Sequence, residues 1–514
     1  MTEKQRIIIN IIATYTRSVV ILFVTLFSSR WLLSSLGKID YGLYGLVGGL
    51  TLFIAFINTL MSTAVSRFYA FAEGERQAGI EGSDIRIQEW FNTALLIHST
   101  LSTALLILGY PLGVYAIRNW LTIPADRITQ CVWVFRLTCF SCYIGMVSVP
   151  FSAMFIAKQR IAEYTVYNLI IPIVELFFVY YMTLHGDQWL VRYALVVSLT
   201  TAVTYIIVSL RAIQIFPECR AKKTMLFNEY RIKSIINFAG WQCFGNFGSL
   251  VRSQGMAILG NLYYGPEINS SLTISNRVYS QTDSLAASLR TAFAPAITNA
   301  YGAKEYDKVK DYAVKTNKIG AILAMIMGIP ISLEIDKILE IWLKEPPAYT
   351  SNFCLFIIIS LLIDKTTGGY MLAVSASGRI ALYQGILGTF LILSLPLAYL
   401  MIKCGGGVLS IGYANLITIA LCAWGRVFFA RRFNISVISW VKEVLIPVTL
   451  VYILSSLIGY LPHVFLGESI KRIILTLLIS ETALIWLSWF IILKKEERGY
   501  IKKKATFFLR KVYG

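Results

Sequence analysis

The sequence predicts an all-α polytopic membrane protein of about fourteen transmembrane helices. Three observations carry that prediction. Of 514 residues, 56% are hydrophobic and only 15% charged, against about a quarter charged in an average soluble domain. Apolar runs of about 20 residues, the length that crosses a bilayer, recur from end to end and leave no stretch for a soluble core. Lys and Arg gather in alternate connections between those runs. The formal charge of +19 therefore reads as topology, and no nucleic-acid partner is expected.

The first span, near 7–36, follows Lys4 and Arg6. Its apolar run is longer than a signal-peptide core and no Ala-x-Ala pattern follows, so it is expected to remain as a span. Spans two to six fall near 43–69, 90–117, 129–156, 161–184 and 189–212. Spans seven to twelve fall near 234–262, 268–300, 313–333, 352–376, 380–402 and 407–428, and the last two near 440–461 and 471–493. An even number of spans puts both termini on one side. That side holds Lys158, Arg160, a group from Arg220 to Lys233, a group from Lys304 to Lys318, Arg431, Arg432 and a tail from Lys494 to Lys504. The opposite side holds little beyond Lys38, Arg118, Arg127, Lys337, Lys344, Lys403, Lys471 and Arg472. By the positive-inside rule both termini are cytoplasmic, with contacts to anionic membrane lipids as a secondary benefit.

A repeat at constant offset links Arg160-Ile161-Ala162-x-Tyr164 with Arg379-Ile380-Ala381-x-Tyr383, and Tyr180, Met182 and Gly186 with Tyr399, Met401 and Gly405. Tyr41-Gly42 is echoed by Tyr264-Gly265, and Thr63-Ala64 by Thr291-Ala292. Six spans separate the copies, so the repeat is parallel. The expected organisation is one six-helix lobe over 1–213, a second over 214–433, two further helices over 434–493 and a basic cytoplasmic tail over 494–514. Two such lobes rocking about a shared site give alternating access.

The eighth span places Ser270, Thr273, Arg277, Gln281, Ser284, Ser288 and Thr291 three or four residues apart, on one helix face. The seventh carries Gln242, Asn246, Ser249 and Arg252, and the first Asn10, Thr14 and Arg17. Lipid penalises such faces, so they are expected to look onto protein or a water-filled cavity. Arg17 and Arg277 lie roughly 15 Å deep at 1.5 Å per residue. Either these arginines bind cargo or each pairs with a buried acid such as Asp283, Glu175 or Asp364. A cationic cavity lined by hydroxyls and amides suits an anionic group bearing sugars, since Arg offers a bidentate fork for phosphate. Asp364-Lys365, with Glu175 and Asp283, are further deep ionisable groups, read either as a site coupling H+ or Na+ or as polar contacts between lobes.

Several chemistries are excluded. No GxxxxGK[ST] provides nucleotide hydrolysis, no HExxH or larger His/Cys cluster suggests a metal, and the short outer loops hold no acid-base pair for a transferase. No enzyme activity and no bound cofactor are expected. The eight cysteines, Cys139 and Cys142 included, read as small packing residues.

The sequence resembles the Wzx-type lipid-linked oligosaccharide flippases of the MOP superfamily, relatives of lipid II flippases and MATE exporters. The resemblance rests on the early Arg17, on Ser35-Leu36-Gly37-x-x-x-Tyr41-Gly42-x-Tyr44-Gly45, on Pro295-Ala296-Ile297-Thr298-x-Ala300-Tyr301-Gly302 and on Ile341-Trp342-Leu343. It implies a multi-pass protein of the bacterial inner membrane that passes an undecaprenyl-pyrophosphate-linked repeat unit to the outer leaflet for O-antigen, capsule or exopolysaccharide, beside polymerase and ligase machinery. It implies cavity arginines Arg17, Arg252 and Arg277, with Arg30, Arg67 and Arg290 as gate contacts nearer the membrane faces. In some relatives the last two helices form a groove for the polyprenyl tail, and this sequence departs from a wholly apolar groove by placing Lys442, Glu443 and Glu481 there. A MATE-like exporter of cationic drugs and a membrane polysaccharide polymerase are the rival readings.

Overall fold

The computed structural model describes residues 3–499 apart from 122, 186–188, 223–224, 344–345 and 496. Gly186, Lys223, Lys344 and the tail beyond 499 lie outside the described residues, as do the side chains of Lys4, Arg30, Lys38 and Tyr41 and the surroundings of Gly37, Gly42 and Gly45. No strand occurs among the described residues.

The helices are α1 (Glu3–Gln77), α2 (Ser83–Asn119), α3 (Ile128–Ala157), α4 (Ile161–Leu184), α5 (Leu190–Ile215), α6 (Glu229–Leu250), α7 (Met256–Tyr264), α8 (Pro266–Gly302) and α9 (Tyr306–Leu333). There follow α10 (Ile335–Leu343), α11 (Thr350–Lys365), α12 (Gly368–Ala376), α13 (Ala381–Lys403), α14 (Ser410–Ala430), α15 (Val437–Trp440), α16 (Ile446–Gly459), α17 (Leu461–Phe465) and α18 (Ile470–Leu487). Among the described residues nine helices are long and apolar enough to cross a membrane, or ten if α11 and α12, bent by 45° at their junction, count as one span. The predicted seventh and eighth spans are helical but too polar to qualify by that measure.

The first two predicted spans differ from expectation in their boundary. Residues 3–77 form one helical run, and no proline interrupts it. Hydrogen bonds nevertheless show that the run doubles back. The Asn10 amide donates to the Gln159 carbonyl at 2.9 Å, while Glu73 accepts from the adjacent Lys158 at 2.6 Å. A straight helix would hold Asn10 and Glu73 about 95 Å apart at 1.5 Å per residue. Asp40, between them in sequence, pairs instead with Arg127 at the opposite end of α3. Two antiparallel limbs therefore occupy the place of the two predicted spans.

The chain divides into two compact units, one of residues 1–243 and 291–305, the other of 244–290 and 306–514. In the first unit Leu32, Leu36, Leu43 and Val47 of α1 pack with Ile117, Phe135, Val179, Met182 and Tyr193. Burying such a side chain contributes about 1.5–3 kcal/mol when water is the alternative. In lipid, close fit and hydrogen bonding take over that role. The end of α1 meets the end of α8 at glycines, where a Cβ on Gly74 would collide with the Asn299 backbone and one on Gly302 with the Phe71 carbonyl.

In the second unit, Met256, Leu259, Ile268 and Leu272 pack with Phe353, Ala398 and Ile411. The last helices dock through polar ties. Glu334, 1% exposed at its side chain, accepts hydrogen bonds from both Nε and Nη2 of Arg472 and one from Thr476 at 2.9 Å. Lys318, buried in α9, donates to the Ile492 carbonyl at 3.1 Å.

The sequence repeat is visible in the helix ends. Helices α3 and α12 end at Ala157 and Ala376, and α4 and α13 end at Leu184 and Lys403. Both pairs keep the offset that relates Arg160 to Arg379. The linker residue before each arginine, Gln159 in one copy and Gly378 in the other, has a positive φ of 55° and 72° respectively.

Candidate functional site

Among the described residues Arg17, Arg252 and Arg277 do not pair with Asp283, Glu175 or Asp364, which are held by other side chains. Asp283 of α8 accepts from Arg290 at 3.1 Å and from Lys365 at 2.7 Å. Lys365 also reaches Asp364 at 2.7 Å, and Asp364 accepts from Arg426 of α14 at 2.6 Å. The result is a chain of three cations and two carboxylates inside the second unit. Lys365 lies at its centre with only 3% of its side chain exposed. Glu175 does not join it. It belongs to the first unit and accepts from the Tyr193 hydroxyl at 2.7 Å.

The network stands where α11 breaks. Residues 366–367 interrupt the helix before Gly368, which frees backbone groups that lipid cannot satisfy. Arg426 Nη1 approaches the Asp364 carbonyl and the Thr367 hydroxyl at 3.4 and 3.2 Å. Trp440 Nε1 donates to the Thr366 carbonyl at 3.2 Å, and Gly369 N–H donates to Asn317 Oδ1 at 2.6 Å. Arg426 escaped sequence reasoning because it stands near the end of an apolar run, beside the topogenic Arg431 and Arg432. Its signal was being the one charge within 410–430, a position that marks function or structure by default.

Arg17, Arg252 and Arg277 have a different setting. Among the described residues none of them forms an ion pair with a carboxylate. Arg252 sits in a π-helical turn, Val251–Gly255, between α6 and α7, a distortion that recurs at functional sites. Its Nη1 donates to Asn415 Oδ1 at 2.6 Å, Asn415 Nδ2 donates to Ser360 Oγ at 2.8 Å, and Arg252 Nε has no partner among the described residues. A cavity of about 30 Å³ adjoins it, lined also by Ser253, Asn276, Phe356 and Gly412. Arg17 Nε is likewise buried without a hydrogen bond among the described residues.

Helix α8 keeps the predicted polar face in large part. Ser270, Thr273, Arg277, Gln281, Ser284 and Thr291 are exposed, whereas Ser288 is buried. Asn246 and Ser249 are exposed on α6, and Gln242 is half-buried. Asn10 and Thr14 are buried. The Asn10 amide holds Gln159 and Ala162 at 2.9 and 3.1 Å, and the Thr14 hydroxyl donates to the Asn10 carbonyl at 2.7 Å. Arg67 is clamped by rings, its guanidinium 4.6 Å from the centre of Phe68 and 5.2 Å from that of Phe238. Arg290 is held by Asp283. No group of three or more metal-ligating side chains occurs among the described residues.

With this geometry in hand, residues 244–400 match the MatE family model. Solved structures share the fold over most of their length. One, an outward-facing multidrug resistance MATE family transporter of the MOP superfamily, superposes with a TM-score of 0.69 at 14% identity, covering 84% of this chain and 96% of that one. A MATE in the straight conformation gives 0.67 at 15% identity with the same coverage. A MOP superfamily transporter from Pyrococcus furiosus, whose binding pocket is described as reversed in polarity, gives 0.66 at 14% identity, covering 84% of this chain and 96% of that one. No curated protein sequence matches. The fold is thus that of MATE membrane transporters, a multi-pass helical membrane architecture.

Proposed function

We propose that the chain is a flippase for an anionic, lipid-linked saccharide, moving an undecaprenyl-pyrophosphate-linked repeat unit from the inner to the outer leaflet by alternating access. Surface polysaccharide assembly at the bacterial inner membrane is the setting this reading supplies, with fourteen spans and cytoplasmic termini. The observation that carries it is that Arg17, Arg252 and Arg277 have no carboxylate partner among the described residues, while the acids Asp283 and Asp364 are already held by other cations. Deep arginines of this kind cost several kcal/mol in lipid, and a phosphate in a hydrated site is the chemistry that compensates them. The exposed hydroxyls and amides of α8 suit the sugars.

The acids bear on energy coupling. Each carboxylate of Asp283 and Asp364 already binds two basic side chains, so a sodium ion would have to displace a cation from a set with excess positive charge. Coupling by the membrane potential, which needs no ion at these carboxylates, fits better.

The test is to replace Arg17, Arg252 and Arg277 singly by Ala in a cell whose surface polysaccharide depends on this chain. Loss of the polysaccharide with normal protein levels is expected; normal polysaccharide in all three would sink the reading. A second reading, export of organic cations, is favoured by the MatE match over 244–400. Ion-dependent efflux of cationic dyes by the purified protein in liposomes would establish it.

A further inference from the structure

The first unit contains a second polar site, whose lining includes none of the three arginines. A cavity of about 670 Å³ opens beside the turn between α3 and α4, walled by both ends of α1. That volume falls within the usual range for small-molecule sites. Its lining carries four cations, Arg6, Arg76, Lys158 and Arg160, against two carboxylates, Glu73 and Glu163. Lys158 is fully engaged, between Glu73 at 2.6 Å and Glu218 at 2.7 Å. Arg76 and Arg160 are 40% and 43% exposed at their side chains even while touching Glu73 and Glu163, and Arg6 is exposed. The exposed surface of these three side chains is accessible to an anion.

Gln159 is the informative residue. It is 6% exposed and lines the cavity, and its Oε1 has no hydrogen-bond partner among the described residues. It also holds a left-handed backbone at φ 55°, where the second copy of the repeat places Gly378 at 72°. Glycine takes that conformation without steric cost, and glutamine does not. The turn geometry alone therefore does not account for a glutamine there. An unsatisfied buried acceptor costs about as much as a lost hydrogen bond, and a hydroxyl group in the cavity would satisfy it once the glutamine side chain turns its Oε1 toward the opening. The Asn10 amide fixes the turn by bonding both the Gln159 carbonyl and the Ala162 N–H, which presents the glutamine side chain in one place.

We propose that this cavity binds a phosphate-bearing polyhydroxyl compound, with the phosphate on Arg6, Arg76 and Arg160 and a hydroxyl donating to Gln159 Oε1. The chemistry is shared by a free sugar phosphate and by a membrane-anchored phosphosugar. The assignment does not rest on the flippase reading, since every residue it uses lies within the first unit and none is Arg17, Arg252 or Arg277.

The full chain in zwitterionic nanodiscs tests it. Glucose 1-phosphate and inorganic phosphate are titrated calorimetrically, and a parallel arm uses nanodiscs carrying a polyprenyl-phosphate hexose, read by native mass spectrometry. Saturable binding of glucose 1-phosphate, tighter than inorganic phosphate, identifies the free compound; retention of the lipid-linked hexose alone identifies the anchored one. In either arm Gln159→Gly weakens binding up to about tenfold while leaving the melting temperature equal or higher, because the strained residue is gone. Arg6→Ala weakens binding and flattens its salt dependence. Absence of binding in both arms overturns the proposal, and so does binding that neither variant alters. Failure of the arginine variants to stop polysaccharide export would leave these outcomes untouched.

Discussion

Lys365 Nζ lies 2.7 Å from Asp283 Oδ1 and 2.7 Å from Asp364 Oδ2, so one buried ammonium joins α8 to the end of α11. Removing one partner of such a buried network leaves uncompensated charge, at a cost of about 3–5 kcal/mol. Lys365→Met is expected to lower thermal stability by that order. The double variant Asp364→Asn with Arg426→Gln, which removes a carboxylate and its guanidinium together, is expected to cost less than Lys365→Met. Melting curves in detergent decide it, and equal losses would contradict the network.

The same saturation predicts indifference to sodium. Replacing sodium by choline is expected to leave both the melting temperature and transport unchanged, because a metal ion would have to displace a basic side chain from either carboxylate. A sodium-dependent rise in melting temperature that disappears in Asp364→Asn would refute this.

Much of this was legible in the sequence, for identifiable reasons. Hydropathy and the polar residues at three-and-four spacing on α8 report directly on what lipid tolerates, and Arg277 and Gln281 are exposed where periodicity placed them. The repeat was legible because the Arg160 and Arg379 turns impose the same helix ends. Pairing across elements was not legible. Nothing local marks Arg426 as the partner of Asp364, 62 residues away. Nor does helical spacing reveal that Asn10 turns inward to hold the α3–α4 turn, since periodicity gives a face and not what covers it. The reversal within α1 was expected from the break between the first two predicted spans, yet its proof is the pairing of Asn10 and Glu73 with adjacent residues.

Arg252 is held by a neutral acceptor, Asn415 Oδ1, at 2.6 Å. Changing that acceptor to a carboxylate should separate structure from transport. Asn415→Asp would form a charge-assisted bond, so stability is expected to hold or rise. The arginine would then be neutralised, and transport of an anionic cargo is expected to fall by about tenfold or more, as for loss of a strong charged hydrogen bond. Undiminished transport in Asn415→Asp would mean that Arg252 does not meet the cargo.

Glu73 sets a pH dependence. Burial by itself raises its carboxyl, but hydrogen bonds from Arg76 and Lys158 and their charges outweigh it and hold the group below the usual carboxylate value. A depressed folded-state value stabilises the fold above the unfolded carboxylate pKa, and that stability disappears as pH falls through the folded one. The chain is expected to lose stability on acidification below about pH 4.3, the ordinary Glu value. Glu73→Gln is expected to be less stable at neutral pH by about 1–3 kcal/mol and to show a flatter acid limb. Parallel melting-temperature profiles for the two proteins would rule this out.

The Ala300-Tyr301-Gly302 end of α8 tests how tightly the two helix ends of the first unit meet. A Cβ at Gly302 would overlap the Phe71 carbonyl, and one at Gly74 would overlap the Asn299 backbone. In neither place is the obstacle a flexible side-chain tip, so the helices themselves must move. Overpacking costs about 1–3 kcal/mol even where side chains can adjust, and backbone contacts adjust less. Gly302→Ala and Gly74→Ala are each expected to lower stability by an amount at or above the upper end of that range, read as a fall in melting temperature. Gly48→Ala, with open space around its Cβ position, controls for the helix propensity gained by replacing glycine, which by itself stabilises by about 1 kcal/mol. Because both substitutions disturb one crossing, their combination should cost less than the sum of the two. Full additivity, or a stability gain like that at Gly48, would show that the ends of α1 and α8 do not pack backbone to backbone.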